Sequence, residues 1–314
     1  MPASSVEILP PCMLPELSSP PATPVGAHPL AYLARTSDGR VRALGLASLG
    51  TDCLQRLVSA PDLILSGARA WLKNQPDHRV ALIDSESDAV PGMWCCKETV
   101  TRNRWVRFVT TWGSFRAHNA FRQGLACLQG NISTPQPLAV LTFTRSGAYH
   151  EYLLTAAVPD AVSLQDWLNS GGPILSAAAF RRRCEITRQL GLQLQRLHQR
   201  GFDHRDLKPT NVLISDSSPG QPVWLIDLDG VWRWPWLPSP RRTQNLARLS
   251  AGVAMIPGVT PTDALRLLFA YLTPRQRRNW KTLWRRVARR AAGMIAKKTR
   301  STRPCYLAGS DYKP

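Results

Sequence analysis

The sequence predicts an α+β chain of two lobes, a small β-rich lobe over 76–158 and a mainly helical lobe over 159–300. Three observations carry this expectation. Apolar runs of strand length, separated by turn residues, fill the first segment. Longer apolar stripes with spacings of three and four fill the second. Between one such stripe and two short apolar runs lies a polar cluster, His204 to Asn211. A chain of 314 residues that is 44% hydrophobic can bury the core of one large two-lobed domain.

Taken in order, residues 1–28 are rich in Pro and Ser, with Pro10-Pro11, Pro20-Pro21 and Pro24, and read as a disordered tail. Residues 29–75 form an extension of unassigned structure, in which Asp62 to Leu72 suits a helix or a strand. Arg79 to Ile83 and Met93 to Glu98 read as strands joined by a polar turn. Ser114 to Leu128 reads as a helix, and Leu138 to Thr144 with Glu151 to Ala156 as a strand pair around Arg145-Ser146-Gly147. In the second lobe, Val162 to Leu168, Ala177 to His198, Asp263 to Leu272 and Arg277 to Lys298 read as helices. Val212 to Ile214 and Val223 to Ile226 read as short strands, and 301–314 as a tail.

The polar cluster carries the chemistry. His204-Arg205-Asp206-Leu207-Lys208-Pro209-Thr210-Asn211 is followed by Asp227. An Asp five residues before an Asn, with a second Asp shortly after, is the arrangement that ATP-dependent phosphoryl transfer to a hydroxyl requires. In that arrangement Asp206 accepts the proton of the attacking hydroxyl. Asn211 and Asp227 hold magnesium, and Lys208 steadies the transferred group. Phosphoryl transfer depends on positioned charge more than on covalent help, so a few side chains at fixed offsets identify it.

With these residues in view, the chain resembles the Kdo/heptose lipopolysaccharide kinase (Kdo/WaaP) family, relatives of the protein kinases. The resemblance rests on Trp94 to Glu98, Ile132 to Val140, Glu151 to Thr155, His204 to Asn211, Leu225 to Asp229 and Asn245 to Leu249. It implies a bilobal protein-kinase-like fold, ATP and Mg2+ as cofactors, and a lipid-linked sugar or lipopolysaccharide core acceptor. It further implies that Lys97 contacts the ATP phosphates and that the backbone of a hinge at Leu153 to Ala156, through Leu154 and Thr155, contacts the adenine. Asp229 is either a further metal ligand or a structural acid. A serine/threonine protein kinase and a catalytically inactive scaffold are the alternatives.

The chain departs from the protein-kinase pattern in several places. No GxGxxG precedes Lys97, and Asp84 to Gly92, with one glycine, is the segment expected to cover the phosphates. The helix Ser114 to Leu128 has no acid to pair with Lys97, and Ala120 stands about where many relatives have Glu. Glu98 is adjacent to Lys97 and so points away from it. Asp227-Leu228-Asp229 stands in place of Asp-Phe-Gly, and no Ala-Pro-Glu follows. These gaps favour a small-molecule or glycolipid acceptor over a protein.

The net charge is +19, and residues 241–314 carry 17 Lys or Arg against two acids. That excess attracts anionic partners. The stripe Trp280, Leu283, Trp284, Val287, Ala291, Met294 and Ile295, with basic residues elsewhere, makes a basic amphipathic helix suited to an anionic membrane surface. Trp232-Arg233-Trp234-Pro235-Trp236 suits such an interface too, but packing inside the helical lobe is the expectation, because most tryptophans are largely buried. No secretory leader or bilayer-length apolar run is read, so the expected location is cytoplasmic, peripheral on the inner membrane face. A monomer without nucleic-acid partners is expected. The seven cysteines contain no CxxC and read as free thiols.

Overall fold

The computed structural model describes residues 5–9, 12–13, 30–102, 116–170, 176–217, 220 and 222–301. Among them, a nine-stranded antiparallel sheet precedes a helical lobe. The strands are β1 (Val6–Ile8), β2 (Cys12–Met13), β3 (Leu30–Thr36), β4 (Val41–Leu46), β5 (Ala68–Gln75), β6 (His78–Asp84), β7 (Met93–Thr101), β8 (Pro137–Arg145) and β9 (Ala148–Ala156). Their order is β1-β3-β4-β8-β9-β7-β6-β5, with β2 also on β3. Helix α1 (Thr51–Ser59) covers one face of the sheet and α2 (Arg116–Gln129) packs on β8 and β9.

Alternation along β7 assigns its side chains to two environments. Trp94 and Cys96 enter an apolar cluster shared with Leu54, Leu57 and Val58 of α1. Lys97 therefore projects from the opposite face. Burial on both faces accounts for β8, whose first seven residues are all buried.

The helical lobe contains α3 (Leu164–Ser170), α4 (Ala177–Gln199), α5 (Ser239–Val253), α6 (Pro261–Tyr271) and α7 (Trp280–Ser301). Small strands β10 (Val162–Ser163), β11 (Phe202–His204), β12 (Val212–Ile214), β13 (Val223–Leu225) and β14 (Val231–Arg233) lie between them. Strand β12 pairs with β10 and β13, and β11 pairs with β14. One apolar cluster joins α4 through Leu190, Leu194 and Leu197 to Leu207, Val212, Leu225 and Leu246, and extends to Val287 and Ala291 of α7. Gly191 lets α4 and α6 approach closely: a methyl there would lie 2.6 Å from the Leu267 carbonyl oxygen.

Several expectations change. Val6–Ile8 and Cys12–Met13 lie within the expected disordered tail, yet they pair with β3 at the sheet edge. Backbone pairing does not need an apolar sequence, and Pro10 and Pro11 fall between these short strands. Residues 29–75 supply β3, β4, α1 and β5, and so enlarge the sheet. Helix α3 starts at Leu164, because Val162–Ser163 pairs with β12. The Ser163 hydroxyl bonds the Asp166 backbone N–H at 3.1 Å. The first residues of the expected Ser114–Leu128 helix and most of 301–314 lie outside the described residues.

Candidate active site

Two structural devices position the expected catalytic segment. Strand β11 pairs with β14, holding Phe202 to His204 in extended form. Pro209–Asn211 then forms a single 3-10 turn that delivers Asn211 to the head of β12. His204 is buried, and its Nε2 lies 3.0 Å from the Ile226 carbonyl oxygen. Burial holds its pKa below the ordinary value, so the ring is neutral and Nε2–H is the donor. His204 therefore fastens the catalytic strand to the residue before Asp227.

Asn211 joins the acids. Its Nδ2 donates to the Asp206 backbone oxygen at 2.9 Å, to Asp206 Oδ2 at 3.1 Å and to Asp227 Oδ2 at 3.4 Å. These donor contacts leave the amide oxygen as an acceptor for a cation. Lys208 Nζ lies 2.6 Å from Asp206 Oδ2, with both side chains about half exposed. Asp227 has φ 64° and ψ 56°, the left-handed region that few non-glycine residues adopt. The following 3-10 turn, Leu228–Gly230, carries Asp229.

Lys97 reaches this group from the sheet. Its Nζ bonds Asp227 Oδ1 and lies 3.4 Å from Asp229 Oδ2. Burial alone would lower its pKa, but the two carboxylates outweigh burial and raise it. Burial would likewise raise Asp227, but Lys97 holds it below the ordinary carboxylate value. The expected Lys97, Asp206, Lys208, Asn211, Asp227 and Asp229 thus form one continuous cluster. Asp227 and Asp229 supply the carboxylates that Lys97 lacks from α2.

A magnesium ion fits this donor set. Among the described residues no group of three or more His, Cys, Asp or Glu gathers for a metal. Magnesium bound with nucleotide takes one or two carboxylates and completes its shell with phosphate oxygens and water. Asp227, Asp229 and the Asn211 amide oxygen meet that need.

Residues 95–271 match the Lipopolysaccharide kinase (Kdo/WaaP) family. The chain belongs to this family. A 3-deoxy-D-manno-octulosonic acid kinase of Xanthomonas campestris pv. campestris is 30% identical over 148 residues, which are 46% of this chain and 53% of the relative. The same enzyme of Xylella fastidiosa (strain M12) is 36% identical over 99 residues, 31% of this chain and 36% of the relative. A MAP kinase-interacting serine/threonine-protein kinase, mnk-1 of Caenorhabditis elegans, is 35% identical over 89 residues, 23% of this chain and 13% of the relative. The chain thus spans about half or less of the length of these relatives. A solved structure of WaaP in complex with acyl carrier protein matches at TM-score 0.53 and 16% identity, over 74% of this chain and 91% of that one. The fold is therefore the kinase-like one, sheet lobe before helical lobe.

Within this Kdo/WaaP member, the residues expected at the adenine are held by the sheet. Leu154 is buried in the core of the sheet lobe. Leu154 and Thr155 are paired with β7 on one side and β8 on the other, so their backbone is committed to the sheet. Pairing ends at Ala156, and the Ala157 N–H still bonds Met93. Backbone free of this ladder for a ligand lies at the strand's end, past the Ala157 N–H. Asp84 to Gly92, the segment expected to cover the phosphates, joins β6 to β7. The turn between β6 and β7 is tied to the α1 face: the Ser87 hydroxyl donates to the Leu49 carbonyl at 3.0 Å, and Arg56 bonds the Glu86 carbonyl. That is the face opposite Lys97. Beyond β6 the sheet ends in the β5–β6 hairpin, with Pro76-Asp77 at its tip and no glycine.

Several supporting residues were missed from sequence. Asn119, not Ala120, is the α2 residue that reaches the metal turn, donating to the Asp229 carbonyl at 2.8 Å and the Val231 carbonyl at 3.2 Å. Glu151 is buried on the Lys97 face of β9, accepts from the Ala117 N–H at 3.4 Å, and has its pKa raised by burial. Asp203, also buried, accepts from Asn245 Nδ2 at 2.7 Å and lies 3.6 Å from Arg241, which braces β11 on α5. Gln193 bonds Ser133 twice, and the Ser133 carbonyl accepts from the Leu225 N–H at 2.9 Å. The Ser133-Thr134-Pro135 segment was legible only as family resemblance; its role is to tie α4 to β13. Glu98 does point away from Lys97, and is held by Arg79 and His150. The described cysteines at 53, 95, 96, 127 and 184 are free thiols.

Proposed function

We propose that this chain transfers the γ-phosphoryl group of ATP to a hydroxyl of a Kdo or heptose in the inner core of a lipid-linked saccharide. The observation that carries the reading is the joining of Asp206, Asn211 and Asp227 through one Asn211 amide, with Lys97 reaching the same acids. Asp206 accepts the acceptor hydroxyl's proton, and Lys208 beside it faces the charge on the transferred group. Asn211, Asp227 and Asp229 hold magnesium, which when bound offsets the charge that builds on the phosphate oxygens. Lys97 leaves the two carboxylates and takes the nucleotide phosphates. The Kdo kinase relatives and the lack of a recognisable protein-substrate platform after Asp229 support a sugar acceptor. No described helix is long and apolar enough to cross a membrane. The basic α7 supports peripheral attachment to an anionic surface at the cytoplasmic face.

The test is transfer from labelled ATP to lipid A bearing inner-core sugars, with mixed proteins as the competing acceptor. Label on the saccharide, lost in Asp206→Asn while nucleotide binding persists, is the expected result. Label appearing on protein alone would replace the reading with a protein kinase. Transfer that survives the substitution would remove Asp206 as the base.

A further inference from the structure

The aromatic segment after the metal turn divides unexpectedly. Trp234 is half-buried beneath Arg241, but Trp232 is 57% exposed and Trp236 is 71% exposed. The expectation that these rings pack inside the lobe fails for two of three. Three residues past Trp236, α5 begins, and between its first turns and α7 lies a cavity of about 440 Å³. It is lined by Ser239, Pro240, Thr243, Arg286, Arg289 and Arg290.

The three arginines are exposed and make no ion pair among the described residues, and the first turn of α5 has no acid. Other surface arginines do find acids, as Arg35, Arg69, Arg145 and Arg182 do. Three guanidiniums converging on one concave space repel one another unless an anion offsets them. Their planar donors suit phosphate oxygens. An exposed indole three residues before the helix that lines such a pocket, as Trp236 is, suits a bilayer interface, where a ring is half wet and phosphates lie at the same depth.

We propose that this cavity binds the phosphate group of an anionic lipid headgroup, with Trp236 entering the adjoining interface. The proposal deepens the membrane attachment put forward above and rests on that reading. Helix α5 connects the site to the chemistry. Its Asn245 holds Asp203 on the catalytic strand, and Gly252 near its other end packs against Pro209 of the catalytic loop. From Ser239 to Gly252 the helix rises about 20 Å. A headgroup in the cavity thus binds at the opposite end of α5 from the Pro209 contact.

The experiment is sedimentation of the full chain with vesicles of phosphatidylcholine alone, or with added phosphatidylglycerol or phosphatidic acid. It is done without nucleotide or sugar acceptor, so its outcome is separate from that of the transfer assay. The variant carries Arg286→Gln, Arg289→Gln and Arg290→Gln. A second variant, Arg278→Gln, Lys281→Gln and Arg285→Gln, removes the same charge away from the cavity lining. Binding to both anionic vesicles but not to phosphatidylcholine is expected. The cavity variant should weaken binding at least about thirtyfold, and the second variant less than about fivefold, since a diffuse field would weaken both alike. Trp236→Ala should weaken it several-fold while circular dichroism is unchanged. Equal losses in the two triple variants would overturn the pocket in favour of diffuse charge. No binding to anionic vesicles, or inorganic phosphate competing as well as lipid, would overturn the membrane site.

Discussion

Replacing Asn119 by alanine tests whether α2 holds the metal turn in place. The substitution removes two hydrogen bonds, of 2.8 Å to the Asp229 carbonyl and 3.2 Å to the Val231 carbonyl. A neutral bond of this kind contributes about 1 kcal/mol net, and the longer one less, so the pair contributes about 1–2 kcal/mol. Global stability should fall by that amount, a drop in Tm of about 1.5–3 °C at this chain length. The more specific consequence falls on Asp227, which precedes the turn, and on Asp229 within it. If these bonds favour the turn's metal-binding position, losing 1–2 kcal/mol weakens magnesium-nucleotide binding by up to about thirtyfold. Calorimetric titration with a non-hydrolysable ATP analogue and magnesium reads this directly. Asn119→Asp should be worse than alanine without metal, because it loses the donors and sets a third carboxylate beside the turn. An alanine variant with unchanged nucleotide affinity and unchanged amide exchange over 227–231 would refute the clamp.

Three further outcomes follow from the same geometry. Lys97→Met removes the cation that occupies Asp227 and Asp229, so manganese should bind about tenfold more tightly without nucleotide while phosphoryl transfer collapses; weaker metal binding would contradict the assigned ligands. Gly191→Ala should destabilise by about 1–2 kcal/mol, because the new methyl meets the Leu267 carbonyl at 2.6 Å and Ala270 Cβ at 2.7 Å; helix propensity alone predicts the opposite sign, so urea unfolding decides. His198 is buried against the Tyr271 hydroxyl, and burial lowers its pKa to about 3. The unfolded chain therefore takes up a proton below about pH 6.5 that the folded chain refuses, and stability falls with acidification at about 1.4 kcal/mol per pH unit. Unfolding of His198→Leu should lose that slope between pH 6.5 and pH 5, and an unchanged slope would contradict it.

What could be read from the sequence follows the range of the forces involved. The His204 to Asn211 segment was legible because phosphoryl transfer fixes its residue types within one loop, and the flanking helix and strands follow from local periodicity. Strands β3 and β4 were not legible, because β4 pairs with β8 nearly a hundred residues away and no local signal names that partner. The face joined by the β6–β7 turn was not legible for the same reason: spacing from Lys97 names the turn, but only strand order and the Ser87 to Leu49 bond show which face it joins. Asn119 was missed by one position, since one residue on a helix is a rotation of about 100° and the sequence sets the apolar stripe more firmly than the polar side. The exposed Trp232 and Trp236 defeated a composition argument that treats every tryptophan alike.

Two departures from the protein-kinase pattern, read separately in the sequence, become one rearrangement in the fold. The helix beside Lys97 lacks its acid, and the metal turn carries an extra one at Asp229. Lys97 thus keeps two carboxylates within reach, Asp227 and Asp229, but both now belong to the metal turn. Helix α2 no longer competes for the lysine; with neutral Asn119 it grips the backbone of the turn that does. The consequence is an exchange. Without nucleotide the lysine offsets the two acids, and a low-dielectric pair of carboxylates would otherwise repel each other. In the proposed reaction Asp227 and Asp229 would hold magnesium and Lys97 would meet the phosphates, so every charge would change partner and none would be left bare. Either one entering alone leaves a partner uncompensated, which is why metal and nucleotide should each bind weakly alone and strongly together.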